Sequence, residues 1–358
     1  MVVQKAFKYR FLPTDEQVDQ LAKTFGCARY VYNRALEFRT SAWRQEKKSI
    51  GYHMTSAKLT EWKKEPEKAF LSEVSSVVLQ QSLRNLDTAF TNFFEKRAQY
   101  PTFKSRRSRQ SARYATNAIA FKDGLITLAK QSSPLDIVWS RPLPDDAKLL
   151  NLTISRDTSG RYFVSILVET NVKQLKKAKA EVGIDVGVKT LATTSDGEKL
   201  ENPRPLLRRE KRLKKLQRSL SRKVNGSNNR KKARLKVARL HAKISDTRRD
   251  TLQQFTTKII RENQAIFVEG LNVAGMVKNH NLAKHIADAA FGEIFRELGY
   301  KANWYGRTYF ELNRFFPSSK LCSSCGHLLE ELPLSVREWD CPACGAHHDR
   351  DLNVDGAA

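Results

Sequence analysis

The stretch Gly183-Ile184-Asp185-Val186-Gly187-Val188-Lys189-Thr190-Leu191-Ala192-Thr193-Thr194 constrains the chain more than any other. A carboxylate stands inside an apolar, β-branched run and is followed at once by Gly187 and Lys189-Thr190. One strand is therefore expected to present Asp185, and a turn to lead into a second strand. Burying an unpaired carboxylate is costly, so the acid either closes a hairpin at the open edge of a sheet or waits there for a cation. Partners elsewhere in the chain bear on that choice.

Two stretches offer them. Ala265-Ile266-Phe267-Val268-Glu269-Gly270-Leu271 repeats the format, an apolar strand ending in an acid and then glycine. Near the C-terminus, His348-Asp349-Arg350-Asp351-Leu352-Asn353 supplies Asp351 as a third acid. Three hard-oxygen ligands far apart in sequence, with no histidine near the first two, suit Mg²⁺ or Mn²⁺ better than zinc. Ions of that kind, used in pairs, serve phosphoryl chemistry.

The charge balance points the same way. Lys and Arg number 64 against 38 Asp and Glu, a net charge of +26 on 358 residues. So large a surplus implies a polyanionic partner, nucleic acid before a membrane surface. No apolar run approaches the ~18 residues that would span a bilayer, and no signal-like segment precedes Lys5, so a cytosolic protein without a membrane partner is expected. Four of the five cysteines form two C-x-x-C pairs, Cys322/Cys325 and Cys341/Cys344, with 15 residues between the pairs. That is the spacing of a closed, structural zinc ribbon, which leaves His327, His347 and His348 as bystanders. Cys27 reads as a small core residue.

In chain order, Phe7, Tyr9 and Phe11 alternate with Lys8 and Arg10 as in a half-buried strand. Thr14 with Gln17 is a capping-box pattern, opening a helix expected to stop near Gly26 and to be followed by another from about 27 to 43. Leu79, Leu83, Leu86, Phe90 and Phe93 mark one apolar helix face. A basic loop follows, in which Lys104, Arg106, Arg107 and Arg113 suit phosphate contacts and Tyr114 suits base stacking. From about 119 to 169 the text reads as strands, with a hairpin signal at Asp157-Thr158-Ser159-Gly160. With the first strand these are expected to close a small barrel into which the helices are inserted. A Lys-rich composition shift at 171–179 reads as a linker.

Residues 204–249 hold 19 Lys or Arg against 2 acids and break at Asn225-Gly226-Ser227-Asn228-Asn229, as a basic helical hairpin would. Such a run is often only a solvated face. Here the density favours a duplex backbone alongside, with Lys231, Lys232 and Arg234 as contacts. A helix is expected over 286–298 and a strand over 307–315.

Read together, GIDVG, FVEGL, the paired C-x-x-C and HDRDLN resemble the split RuvC-type nuclease of the TnpB family, RNA-guided endonucleases of bacterial and archaeal insertion sequences related to the type V CRISPR nucleases. Phe25-Gly26-Cys27-Ala28-Arg29-Tyr30-Val31-Tyr32-Asn33-Arg34-Ala35-Leu36 and Tyr100-Pro101-Thr102-Phe103-Lys104-Ser105 resemble it too. The resemblance implies an α+β multidomain protein. Residues 1–170 would form a wedge β-barrel with a helical recognition insert at about 15–98. Residues 171–321 would form an RNase H-like (RuvC) α/β nuclease fold carrying the hairpin at 204–262. Residues 322–346 would be the inserted zinc ribbon and 347–358 the last nuclease segment. It also implies a guide RNA from the protein's own element, a double-stranded DNA target cut beside a short adjacent motif, and no small-molecule substrate. Asp185, Glu269 and Asp351 would hold Mg²⁺ or Mn²⁺, with structural Zn²⁺ in the ribbon, in the cytoplasm of a prokaryote. One departure from the family pattern, the short run Val354-Asp355-Gly356-Ala357-Ala358 after Asp351, keeps open an RNA-guided binder or repressor that cleaves weakly or not at all. A strand-transferring transposase using the same acids is a third reading.

Overall fold

Alternation governs the first strand. Phe7, Tyr9 and Phe11 are buried and their neighbours are exposed, so one face of the strand is core and the other is basic surface. The computed structural model describes residues 1–107, 109–122, 124–313, 320–333, 336 and 338–349. It divides into two units, one formed by Val2–Asn171 and the other by Met1 with the chain from Val172 onward.

The first unit runs β1 (Val2–Leu12), α1 (Asp15–Glu46), α2 (Tyr52–Lys64), a 3-10 segment (Pro66–Glu73), α3 (Ser76–Phe94), β2 (Gln110–Ala115), β3 (Ile119–Lys122), β4 (Leu125–Leu128), β5 (Asp136–Val138), β6 (Lys148–Arg156) and β7 (Tyr162–Asn171). β1 pairs with β7 along almost its whole length, from Val2 opposite Asn171 to Phe11 opposite Tyr162. The antiparallel sheet has the order β2-β6-β7-β1-β5, and β3-β4 forms a separate hairpin. Asp157 fastens the β6-β7 turn by accepting the N–H groups of Ser159 and Arg161 at 2.9 and 3.0 Å. Gly160 supplies the φ of +87° that this turn requires.

The barrel expected from the sequence is not formed among the described residues. β2 and β5 stand at opposite edges without pairing, and β5 has only three residues. Helices cover the apolar face that closure would have buried. Leu21, Phe25 and Ala28 of α1 and Val78 of α3 share one core with Phe7, Phe11, Leu152, Ile154, Val164 and Ile166. On their other side α1 and α3 meet α2 through Val31, Leu36, Leu59, Trp62, Leu79 and Leu83.

α1 begins as its capping box predicts, Gln17 N–H donating to Thr14 Oγ1 and Thr14 N–H to Gln17 Oε1, both at 3.2 Å. It does not stop at Gly26. The buried stripe Leu21, Phe25, Ala28, Val31/Tyr32, Ala35 runs through the glycine without a break. Packing along that stripe outweighs the ~1 kcal/mol that an interior glycine costs.

The second unit runs β8 (Glu181–Asp185), β9 (Thr190–Thr194), β10 (Lys199–Glu201), α4 (Pro205–Ser221), α5 (Asn228–Glu262), β11 (Ala265–Glu269), α6 (Val273–Met276), α7 (Ala283–Ala289), α8 (Phe291–Tyr305), β12 (Thr308–Leu312), β13 (Glu338–Asp340) and β14 (His347–Asp349). Its five-stranded sheet has the order β10-β9-β8-β11-β12. β8, β11 and β12 are parallel, whereas β9 pairs antiparallel with β8 and β10 pairs antiparallel with β9. Val182, Ile184, Ile266 and Val268 pack against Leu252, Phe255 and Ile259 of α5 and Ile294 and Leu298 of α8. α4 and α5 form the basic hairpin, held by a small seam of Leu213, Leu240 and Ile244.

The helix expected over 286–298 is two helices. The break falls at Ala290, which adopts the left-handed conformation (φ 58°, ψ 45°). In one straight helix Ile286 and Phe291 would point about 140° apart. The break lets both enter the same core, each 1% exposed. Of the strand expected over 307–315, β12 occupies Thr308–Leu312, and residues 314 and 315 lie outside the described residues.

Candidate active site and metal centre

Asp185 and Glu269 end neighbouring parallel strands. The register pairs Val182 with Ile266 and Ile184 with Val268, so the two acids follow at the next position on β8 and β11. Adjacent strands lie about 4.8 Å apart, and alternate residues share a face. The acids therefore belong to the set opposite the buried Val182, Ile184, Ile266 and Val268, and both are half-buried. On that face Phe267 stacks on Phe310 with ring centroids 5.3 Å apart and planes at 11°. The carboxyl ends of parallel strands are where open α/β sheets place ligands.

The turn behind Asp185 is tight. A Cβ at Gly187 would lie 2.9 Å from the Thr190 carbonyl oxygen, and Gly187 N–H donates to Leu191 O at 3.3 Å. Glycine is thus needed for the β8-β9 turn to fold back closely. Asp351, the third acid expected here, lies outside the described residues.

The four ribbon cysteines converge. All four sulfurs lie within 4.8 Å of one another, with Cys322–Cys344 at 3.5 Å and Cys325–Cys341 at 3.6 Å. Tetrahedral Zn–S bonds of about 2.3 Å imply sulfurs about 3.8 Å apart, so this donor set fits zinc. Burial opposes ionisation of Cys322, yet the backbone N–H groups of Cys325 and Ser324 and the His348 ring bring its thiol down to about 5. Against the N–H of His327, the crowd of neighbouring sulfurs pushes Cys325 up to about 12. Without a cation the cluster does not carry four thiolates near neutral pH. His348 is no bystander. It is buried, its Nε2 lies 3.0 Å from Cys322 Sγ, and its ring packs on Trp339 with centroids 4.6 Å apart. It lies where it can orient the Cys322 sulfur from outside the four-sulfur cluster.

The expected nucleic-acid contacts divide. Lys231, Lys232 and Arg234 are all exposed on α5, with Lys231 Nζ donating to Asn228 Oδ1 at 3.1 Å. Arg106, Arg107 and Arg113 are exposed as well. Lys104 is exposed as a whole, but its Nζ folds back over the Tyr32 ring at 3.9 Å, and burial there lowers its pKa. Tyr114 is a correction. It is 1% exposed in the first core, where burial pushes its phenol up to about 12, so it has no ring face to offer a base. The text taken for a loop is strand β2, whose alternation sends Ala112 and Tyr114 inward and Ser111 and Arg113 outward.

Sequence reasoning missed Asp288. Its buried carboxylate accepts the N–H groups of Leu206 (3.0 Å) and Leu207 (3.3 Å) at the start of α4 and the Arg248 guanidinium of α5 at 2.7 Å. One acid thus caps the first helix of the basic hairpin and grips the second. No local pattern in Ile286-Ala287-Asp288-Ala289 signals this, because its partners are 40 and 82 residues away.

Three family models match the chain: OrfB_IS605, described as "Probable transposase", over residues 164–280; a "Helix-turn-helix domain" over 1–48; and a "Cas12f1-like, TNB domain" over 291–354. Residues 1–48 hold one strand and a single uninterrupted helix here. A protein of Streptomyces pristinaespiralis named "Putative RNA-guided DNA endonuclease" is 54% identical over 353 residues, covering 98% of this chain and 88% of the relative. InsQ of Escherichia coli K12, which bears the same name, is 32% identical over 365 residues, covering 98% and 90%. The chain resembles in fold the Cas12f1 of a solved Cas12f1-sgRNA-target DNA complex, with a TM-score of 0.60 at 13% identity over 99% of both chains. Identity of that extent along nearly the full length, with the ribbon and the acid-ended strands in place, means that the chain belongs to the TnpB family, the OrfB proteins of IS605-type insertion sequences.

Proposed function

We propose that the protein is an RNA-guided DNA endonuclease of an insertion sequence, with a guide RNA and double-stranded DNA as partners, as the names of its relatives and its +26 charge support. Base pairing with the guide would select the target beside a short adjacent motif, and the protein would supply the channel and the hydrolysis. It would work where its target DNA lies, in the cytoplasm of a prokaryotic cell.

The observation that carries the nuclease reading is Asp185 beside Glu269 at the ends of β8 and β11. An RNase H-like reading of this unit is supported by the mixed sheet, in which an antiparallel pair of strands continues into three parallel ones with helices on one face. Asp185 and Glu269, with Asp351, would hold Mg²⁺ or Mn²⁺. Bound divalent cations supply an activated water and charge neutralisation at the leaving oxygen. The chain's own part is to fix two carboxylates on a rigid sheet edge, with Gly187 keeping the following turn close. Zn²⁺ on Cys322, Cys325, Cys341 and Cys344 would order the ribbon without touching the chemistry.

The test compares wild type with Asp185→Ala on one guide-matched duplex in Mg²⁺, with binding and cutting measured together. Binding in both and cutting by wild type alone is the expected result. Equal cutting by both would remove Asp185 from the site. Binding without cutting in both would favour a guide-directed repressor, and strand-joined product would mark a transposase. Losses from Asp185→Ala and Glu269→Ala should not add, because both remove the same step.

A further inference from the structure

In the first unit a cavity of about 190 Å³ opens between α1, α3 and the start of β2, and its polar wall combines cations with neutral hydroxyl and amide side chains and includes no carboxylate. Arg29 of α1, Lys104 and Arg109 of the preceding loop, and Arg113 of β2 all line it. Among the described residues none of the four makes an ion pair with a carboxylate. The nearest partner of Arg29 is neutral: its Nη1 donates to Gln110 Oε1 at 2.7 Å. Gln110 is itself fixed, its amide donating to the carbonyls of Ser105 and Arg106 at 3.2 Å each. Arg109 is held by Ser155 Oγ at 3.3 Å.

Packing alone would not build such a lining. Apolar or neutral side chains would fill the space without mutual repulsion, whereas four cations gathered around one small cavity, with Arg29 half-buried, repel one another until an anion joins them. Burial, and then the neighbouring charge of Arg106, lowers the Arg29 pKa, as expected of a cation lacking its counter-charge. The floor under these groups includes Val78 and Ala112, small and apolar, which keeps the cavity open. A guanidinium fork presents parallel donors that match phosphate oxygens, and a hydrogen bond that fixes the fork beforehand reduces the ordering cost of binding.

We infer that this cavity is a phosphate-binding site that seats one backbone phosphodiester of a nucleic-acid strand, with Arg29 and Arg113 as its principal donors. The inference rests on the reading that nucleic acid is the partner. It is independent of cleavage, so it is tested on the full-length Asp185→Ala chain.

Anisotropy titrations with a labelled single-stranded RNA, and separately with a labelled DNA duplex, are run over a salt series for the parent and for its Arg29→Gln and Arg113→Gln variants. Each substitution is expected to weaken binding several-fold and to flatten the log K against log salt slope by about 0.7 on single-stranded RNA or about 0.9 on duplex DNA. Loss confined to RNA would assign the phosphodiester to the guide, loss confined to DNA to the target, and both results support the site. Thermal melting without nucleic acid is the second readout. Removing an uncompensated cation should leave Tm unchanged or raised, and inorganic phosphate should raise Tm more in the parent than in Arg29→Gln. Unchanged salt slopes on both strands, or a fall in Tm of the free variant with no difference in phosphate response, would overturn the site. Failure of the nuclease reading shows instead as absent cutting by wild type and leaves these titrations untouched.

Discussion

Lys301 Nζ sits among oxygens inside the second unit. Thr256 Oγ1 is at 2.6 Å, Thr257 Oγ1 at 3.0 Å, the Gln253 carbonyl at 3.3 Å and Glu297 Oε2 at 3.4 Å. Glu297 is 0% exposed and also accepts from Thr256 at 2.9 Å, so α5 and α8 are joined by a buried, charged seam. Removing one partner strands the other: Lys301→Met is expected to cost about 3–5 kcal/mol, read as a lower urea midpoint. The double change Glu297→Leu with Lys301→Met should recover most of that loss, since a buried pair is often replaceable by apolar groups of similar volume. A double mutant as unstable as the single would mean that the seam contributes through its hydrogen bonds. At this scale the sequence is legible only where a residue contradicts its surroundings. Asp185 and Glu269 end apolar strands and stand out for that reason. Glu297 and Lys301, four apart on a helix, look like an ordinary surface pair until α5 covers them. Arg307 hides in the same way. Its guanidinium donates to the carbonyls of Ile260 and Arg261 at the end of α5 and to Lys176 O, a duty set wholly by tertiary structure.

At the scale of elements, periodicity and locally complete punctuation were readable, and breaks decided by tertiary packing were not. The capping box, the β6-β7 turn and the two C-x-x-C pairs are local patterns whose physics is complete within a few residues, and each forms as its residues dictate. Gly26 and Ala290 mislead because tertiary packing decides there against local preference. α1 continues through a glycine, and a helix breaks at an alanine. Both positions invite measurement. A Cβ at Gly26 meets nothing within 4 Å, so Gly26→Ala should stabilise by about 0.5–1 kcal/mol, seen as a higher urea midpoint at unchanged slope. The ribbon is the opposite case. Among the described residues its buried core is Cys322, Trp339 and Cys341, with Leu329, Leu332, Val336 and Ala346 partly buried against them, too small to hold β13 and β14 unaided. Chelation should therefore remove one zinc per chain and speed amide exchange in β13 and β14 well before the β8-β11 pair, as metal analysis and hydrogen exchange would record. A metal-free chain with unchanged exchange in the ribbon would deny zinc its structural role.

For the molecule as a whole, charge is the property that reaches furthest. A surplus of +26 cannot be read residue by residue, because surface Lys and Arg contribute little until an anion arrives. The open sheet found in place of a barrel shows the same limit for shape, since strands in the text do not say whether helices or other strands will cover them. The basic hairpin is where the charge can be tested without disturbing the fold. Lys231, Lys232 and Arg234 are exposed, the α4-α5 seam consists of Leu213, Leu240 and Ile244, and Asp288 anchors the hairpin through Leu206, Leu207 and Arg248. Replacing the three cations by Ala should thus leave stability within about 0.5 kcal/mol, since none contributes to the core. Binding should change through its salt dependence. Each phosphate no longer neutralised on a duplex lowers the slope of log K against log salt by about 0.9, so the triple variant should flatten it by up to roughly 2.7. The loss should be alike for matched and unmatched sequences, because backbone contacts position the nucleic acid and do not read it. An unchanged slope would reduce the hairpin to a solvated surface and shift the search for the duplex contact to the loop and β2 positions Arg106, Arg107 and Arg113.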